Sequence, residues 1–320
     1  MYRFSRPASS NTSLDPHDFA PYVLVDKDYI SPTNAIFTLK NGYGKPEPES
    51  VRGLWKRGIW SVEIKQPQLQ IARSYTPLPP LPTEVDDDDG HEVRILIRQE
   101  TGGEVSTYLH RLPAGSTIEL RGPHVEHELP RDVKDIIFLA GGTGVAPALQ
   151  VAHTFHEMSG NKMQLLWANR RREDCEGGNS DQAVHDYTNR PSSWQDAIPW
   201  LGRGSSQEAP VQRHDTARKG LIVQQLEALK ERSQGASQKL HVQYYVDEEK
   251  TFIKPDDVAR RIRANSSAGE GSRFILVSGP DGFVEYWAGK KVWIDGREVQ
   301  GPLGGVLAKM DLGDWKVVKL

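Results

Sequence analysis

The sequence predicts an antiparallel β-barrel followed by a parallel α/β domain, and three observations predict it. The chain has 320 residues, which at about 150 residues per domain favours two domains. Its first third consists of short alternating β-type runs broken by Gly and Pro, the pattern of a small barrel or sandwich. Beyond Pro130 continuous apolar runs alternate with helical stretches, as expected of strands buried on both faces of a parallel sheet. The expected organisation is a disordered lead-in over 1–20, a barrel over 21–130 and an α/β domain over 131–320, with an insertion at about 170–220.

The lead-in is rich in Ser, Asn, Asp and Pro and lacks the apolar core of a signal peptide. An anchor or targeting segment ahead of it is compatible with this reading. Barrel strands are expected at Tyr22–Val25, Asn34–Leu39, Gly58–Gln66, Ile71–Tyr75, Val93–Arg98 and Ser116–Leu120, with Arg121-Gly122-Pro123 closing the region. The run Asp86–Asp89 is a solvated loop, since no bidentate Glu follows at calcium-loop spacing. Buried strands follow at Asp135–Ala140, Met163–Ala168, Leu240–Val246 and Arg273–Val277. Helical patterns lie at Ala146–Met158, Leu221–Arg232 and Asp256–Arg263. The insertion shows no clear period.

Composition excludes several classes of function. With 40 basic and 43 acidic side chains, there is no electrostatic footprint for nucleic acid or an anionic membrane. No run of 18 apolar residues occurs, so no membrane-spanning helix is expected. The single cysteine, Cys175, excludes internal disulfides, thiolate iron–sulfur clusters and four-cysteine zinc sites. Redox chemistry here needs an organic cofactor. Cys175 itself is expected as a free thiol in the polar insertion. The pairs His124/His127 and His153/His156 lack further ligands, so no metal site is expected.

Three segments carry candidate chemistry. Gly141-Gly142-Thr143-Gly144-Val145-Ala146-Pro147 ends a buried strand and opens a helix, where backbone N–H groups and the helix dipole favour a pyrophosphate. A simple strand–helix connection is the bland alternative. Arg73-Ser74-Tyr75-Thr76-Pro77 ends a barrel strand, and alternation puts Arg73 and Tyr75 on one face and Thr76 on the other at the start of a turn. Such an Arg fork holds phosphate and such a Tyr stacks on a planar ring, although the pair is equally a surface cation–π contact. Gly102-Gly103-Glu104-Val105-Ser106-Thr107 precedes a helix, with Ser106 or Thr107 as N-cap or as part of a second anion site.

Together, Arg73-x-Tyr75-Thr76, Gly103-x-x-Ser106, Gly141-Gly142-x-Gly144-x-x-Pro147 and Ser278-Gly279-Pro280 resemble the ferredoxin–NADP reductase superfamily, most nearly its cytochrome b5 reductase-like branch. The resemblance covers roughly residues 20–290. It implies an FAD-binding barrel, an NAD(P)-binding α/β domain, and hydride transfer from NAD(P)H to FAD followed by single-electron delivery to an acceptor. Arg73 would hold the FAD pyrophosphate, Tyr75 would pack on the isoalloxazine and Thr76 would orient its N5. The turn of Gly103, Val105, Ser106 and Thr107 would cradle phosphates. Gly141, Gly142, Thr143, Gly144 and Pro147 would receive the nicotinamide dinucleotide, with Ser278, Gly279 and Pro280 near the nicotinamide. Arg170 and Arg171, in the run Arg170–Arg172 after a strand, could hold a 2′-phosphate or form a solvated charge run.

The tail from Gly301 to Leu320 is similar to fungal mitochondrial flavoproteins that assist cytochrome c haem attachment. That narrower resemblance implies a haem or haem-protein acceptor and a place at the inner membrane facing the intermembrane space. The sequence also departs from the family pattern. Ser278 replaces a Cys, Glu104 a Lys and Ala146 a Thr, and the usual aromatic C-terminus is missing. Trp315 or Trp293 would either cover the flavin instead or serve in core or surface. A general cytochrome b5 reductase-like or ferric/quinone reductase, and a non-catalytic flavin-binding assembly factor, are the alternatives.

Overall fold

The computed structural model describes residues 13–47, 49–81, 92–156, 161–181, 219–232, 240–265, 271–294 and 296–320. Its first sheet contains β1 (Ala20–Tyr29), β2 (Asn34–Asn41), β3 (Gly58–Gln66), β4 (Ile71–Tyr75), β5 (Pro77–Leu78), β6 (Glu92–Arg98) and β7 (Thr117–Glu128). All neighbours are antiparallel, in the order β4-β3-β7-β1-β2-β6-β5. The strands at the two ends of that order, β4 and β5, are separated in sequence by Thr76 alone. The chain therefore closes the sheet on itself, which removes the edges an open sheet would expose. Helix α1 (Glu49–Arg52) follows β2, and α2 (Glu104–Arg111) lies between β6 and β7.

Period-two patterning explains the barrel interior. Tyr22 and Leu24, Phe37 and Leu39, Trp60, Val62 and Ile64, and Val93, Ile95 and Ile97 share one buried cluster. Residues of opposite parity, Ile36, Ile59 and Leu96, belong instead to the core of the second domain. The barrel thus contributes its outer face to the α/β core.

That second domain runs β8 (Val133–Gly141), α3 (Val145–His156), β9 (Lys162–Asn169), α4 (Leu221–Arg232), β10 (Leu240–Val246), α5 (Pro255–Asn265), β11 (Ser272–Ser278) and α6 (Asp281–Ala288). A hairpin of β12 (Val292–Ile294) and β13 (Arg297–Val299) then precedes β14 (Trp315–Lys319). Five parallel strands lie in the order β10-β9-β8-β11-β14. Ile136, Phe138 and Ala140 face α3, α4 and the barrel, whereas Ile137, Leu139, Ile275 and Val277 face α5 and α6. The strand order reverses between β8 and β11, so their carboxyl ends flank the switch point where open α/β sheets bind ligands.

Buried polar contacts join the two domains. Ser31 Oγ and Asn34 Nδ2, before and in β2, each donate to Asp174 Oδ1 at 2.6 Å. Gln225 Nε2 of α4 donates to Pro79 O at 2.8 Å, and Thr154 Oγ1 of α3 to Trp55 O at 3.1 Å.

Several expectations need correction. Arg121-Gly122-Pro123 does not close the barrel: β7 continues to Glu128, and a register shift against β3 between Ser61 and Glu63 accommodates the segment. His124 and His127 are consequently strand residues, and the His127 ring packs against Phe274 at 5.7 Å. The described end of the lead-in is ordered, because Leu14 is buried and its N–H donates to Glu47 Oε2 at 3.3 Å. Cys175 is not an exposed thiol of a polar insertion but 1% exposed in the α/β core beside Arg172, and burial pushes its thiol up to about 11 against the lowering influence of that guanidinium. Asp86–Asp89, Met158 and residues 182–218 of the insertion lie outside the described residues. Asp174→Ala removes the acceptor of two buried interdomain bonds and should cost about 2 kcal/mol, read as a lower urea midpoint at unchanged m-value.

Candidate functional site

The barrel closure delivers the first part of the site. Tyr75 ends β4, Thr76 crosses the seam and Pro77 starts β5 against β6; Thr76 is a strand-to-strand crossing rather than the start of a turn. Tyr75 packs partly on the barrel core. Its phenol is pushed up to about 12, first by burial and then by Glu100, with Arg73 opposing. It therefore stays neutral at physiological pH, a hydrogen-bond donor and stacking surface rather than a base. Arg73 is exposed, and its Nη1 donates to Ala72 O at 3.0 Å.

The second part is the approach to α2. Gly103 occupies the N-cap position without a side-chain cap, so neither Ser106 nor Thr107 caps this helix. Ser106 Oγ instead accepts the Glu100 N–H at 3.1 Å and donates to Gly103 O at 3.3 Å, holding the 100–103 loop onto the first helical turn. Val105 is buried beneath it.

The third part is a close crossing of backbones at the switch point. A Cβ on Gly144 would lie 2.3 Å from Ser278 O, so the end of β11 can pass the loop after β8 only over a glycine. Gly142 has φ +52°. Trp167 Nε1 donates to Gly142 O at 2.8 Å. Pro147 falls in the first turn of α3, where no N–H partner is lost.

These parts meet in one open cleft of about 340 Å³. Arg73, Tyr75 and Thr76 line it from the seam, Gly103, Val105 and Ser106 from α2, and Thr143, Gly144 and Pro147 with Ser278 and Gly279 from the switch point. A neighbouring cleft of about 430 Å³ shares Gly103 and Glu104 and continues along Thr107, Tyr108 and Arg111. The pair forms an elongated groove with a flat aromatic wall, guanidinium groups and glycine turns, which fits a dinucleotide carrying a planar ring such as FAD.

Gly141, Gly142 and Pro280 do not line the main cleft: Gly141 lies over the Phe283 ring, Gly142 borders a smaller pocket with Asn169, and Pro280 precedes α6. Arg170 and Arg171 also lie off it. Arg171 Nη1 pairs with Glu173 at 3.1 Å, and Arg172 binds both carboxylate oxygens of Glu249. Only Arg170 of the three has no side-chain ion pair among the described residues. Trp315 is 5% exposed in the core, so it covers nothing, and Trp293 is 73% exposed on the β12–β13 hairpin. The sequence reading missed Arg98 and Glu100, which line the cleft and pair at 3.4 Å. An Arg ending a strand shortly before Gly102-Gly103 was the available signal.

A family model for the oxidoreductase FAD-binding domain matches residues 21–128, and one for the oxidoreductase NAD-binding domain matches residues 138–190. The cytochrome b5 reductase domain of Ulva prolifera nitrate reductase superposes with a TM-score of 0.52 at 18% identity, covering 85% of this chain and 91% of that one. The chain belongs to the oxidoreductases that join an FAD-binding domain to an NAD-binding domain. A further fold likeness within structures of this architecture is to CYP116B46 from Tepidiphilus thermophilus, with a TM-score of 0.55 at 17% identity over 88% of this chain and 28% of that one.

Among curated relatives, the Saccharomyces cerevisiae cytochrome c mitochondrial import factor CYC2 is 28% identical over 199 residues, 48% of this chain and 53% of the yeast protein. NADH-cytochrome b5 reductase 1 of Cryptococcus neoformans is 30% identical over 164 residues, 50% of this chain and 52% of that protein. The chain spans about half the length of these curated relatives. No helix among the described residues is long and apolar enough to cross a membrane.

The backbone crossing supplies a paired test. Gly144→Ala should cost about 2–3 kcal/mol by forcing β11 away from α3, whereas Gly282→Ala, in α6 with open space around the new methyl, should leave stability equal or slightly raised. Urea unfolding of both variants decides it.

Proposed function

We propose that this chain is an NAD(P)H-dependent FAD reductase that passes electrons to a one-electron acceptor, a haem or haem protein. One observation carries the reading: a single cleft gathers the barrel seam, the α2 turn and the carboxyl ends of β8 and β11. FAD, when bound, accepts a hydride at N5 and releases electrons singly.

The chain's residues bind, orient and shield. The barrel over 21–130 is the FAD-binding unit, and 131–320 the NAD(P)-binding unit. Arg73 and Arg98 neutralise the flavin pyrophosphate, and the loop held by Ser106 supplies N–H groups beside it. Neutral Tyr75 packs against the isoalloxazine, and Thr76 holds the N5 edge. The N–H groups of Gly142–Gly144, at the start of α3, take the nicotinamide dinucleotide's phosphates, while Ser278 and Gly279 position its ring.

Charge at the end of β9 bears on coenzyme choice. Glu173 and Glu249 already hold Arg171 and Arg172, which leaves Arg170 as the one guanidinium of the run without an ion pair among the described residues to attract a 2′-phosphate, and NADH is the preferred donor. The relatives named for cytochrome c import and for cytochrome b5 reduction support a haem-type acceptor. The first, named for mitochondrial import of cytochrome c, supports a mitochondrial place, and the role we propose there is cytochrome c haem attachment at the inner membrane, facing the intermembrane space.

Purified protein should carry yellow, tightly bound flavin that bleaches anaerobically with NADH, and reoxidise with ferric haem. Thr76→Val should keep the flavin and slow bleaching about tenfold or more; an unchanged rate removes Thr76 from the mechanism. Comparing kcat/KM for NADH and NADPH should favour NADH, and Arg171→Ala should leave that ratio within about twofold. A ratio favouring NADPH that collapses in the variant reverses the coenzyme assignment.

A further inference from the structure

We propose that Gln150 is a positioning residue that sets the flavin seam against the dinucleotide loop. This inference rests on the reductase reading above and goes beyond it.

The case begins with a gap in the barrel. In the β3–β4 ladder Val62 opposes Tyr75. Continuing that register would set Trp60 opposite Pro77, but the ladder stops because Thr76 carries the chain across to β6. Pro77 has no N–H to offer in any case. The Trp60 N–H and C=O are thus left without strand partners on this side, in surroundings closed to water.

Gln150 of α3 fills the gap. Its Oε1 accepts the Trp60 N–H at 3.0 Å, and its Nε2 donates to Trp60 O at 3.2 Å and to Pro77 O at 2.9 Å. The opposite amide orientation would set a donor against an N–H and an acceptor against two carbonyls, so these bonds define which way the amide points. The side chain is 1% exposed. It acts as a surrogate strand residue, reaching both sides of the seam from a helix of the other domain.

Its location gives the contact a functional reading. Pro77 directly follows Thr76, and Gln150 lies on the helix whose first turn carries Pro147 and whose preceding loop carries Gly142–Gly144. One amide therefore links the group holding flavin N5 to the loop holding the donor's phosphates. Thr154, one turn further along the same helix face, also bonds the barrel, at Trp55 O. Its hydroxyl bonds Trp55 O and the Gln150 backbone carbonyl rather than a seam strand, which makes it the control for ordinary interface loss.

The experiment measures anaerobic flavin reduction by NADH in stopped flow, with flavin content and melting temperature recorded, for wild type, Gln150→Met, Gln150→Glu and Thr154→Val. Gln150→Met should retain flavin yet reduce it about tenfold more slowly at saturating NADH, with the half-saturating NADH concentration within about twofold of wild type. Thr154→Val should keep the wild-type saturating rate. In Gln150→Glu the carboxyl can donate to a carbonyl only when protonated, so its rate should climb as pH falls from 8 to about 5.5 relative to wild type.

A saturating rate in Gln150→Met within twofold of wild type overturns the proposal, as does an equal loss in Thr154→Val. If Gln150→Met does not fold, the Gln150→Glu profile decides, and a ratio to wild type that is flat with pH overturns it. Wild-type protein that binds flavin without bleaching sinks the reductase reading instead, and that outcome is visible before any variant is made.

Discussion

Closing a seven-stranded sheet through a single residue is the constraint on which the rest of this structure depends. β4 and β5 lie at opposite ends of the sheet order, yet only Thr76 separates them. No turn of ordinary length connects them, so the seam's side chains are held at the barrel mouth by two ladders at once. Tyr75 answers to β3 and Pro77 to β6. A site built on regular strands is held more accurately than one on a free loop.

The same closure shapes the contact between domains. Because the barrel interior takes one parity of β2, β3 and β6, the other parity is free to enter the α/β core, and Ile36, Ile59 and Leu96 do so. The interface is therefore continuous apolar packing with a few buried polar bonds set into it. Asp174, Gln150 and Gln225 each reach the other domain from positions less than a tenth exposed. The cleft is thus a groove in a single packed body.

Much of this was legible in the residues. The six expected barrel strands and four buried parallel strands are all present, since each shows either clean alternation or an unbroken apolar run. The three candidate segments were legible because glycine beside hydroxyl and guanidinium groups is an uncommon combination. What escaped notice depended on pairing partners. β7 passes through Gly122-Pro123 only because β3 shifts register opposite it. β5 has two residues and no pattern to read. The run Arg170–Arg172 left phosphate binding and a solvated charge run both open; Glu173, the partner of Arg171, is local, but Glu249, the partner of Arg172, lies far along the chain. Gln150 was invisible for the same reason, as nothing local distinguishes a glutamine facing solvent from one completing a β-sheet.

The indole of Trp167 has a consequence for selectivity at the switch point. Its Nε1 donates to the Gly142 carbonyl, which the Val145 N–H also reaches, so that oxygen is engaged within the protein. A cation at the switch point would find this carbonyl already taken. The tryptophan makes the position less attractive to cations with a neutral side chain. Because it carries no formal charge and is almost fully buried, added salt would screen it far less than it screens a surface lysine.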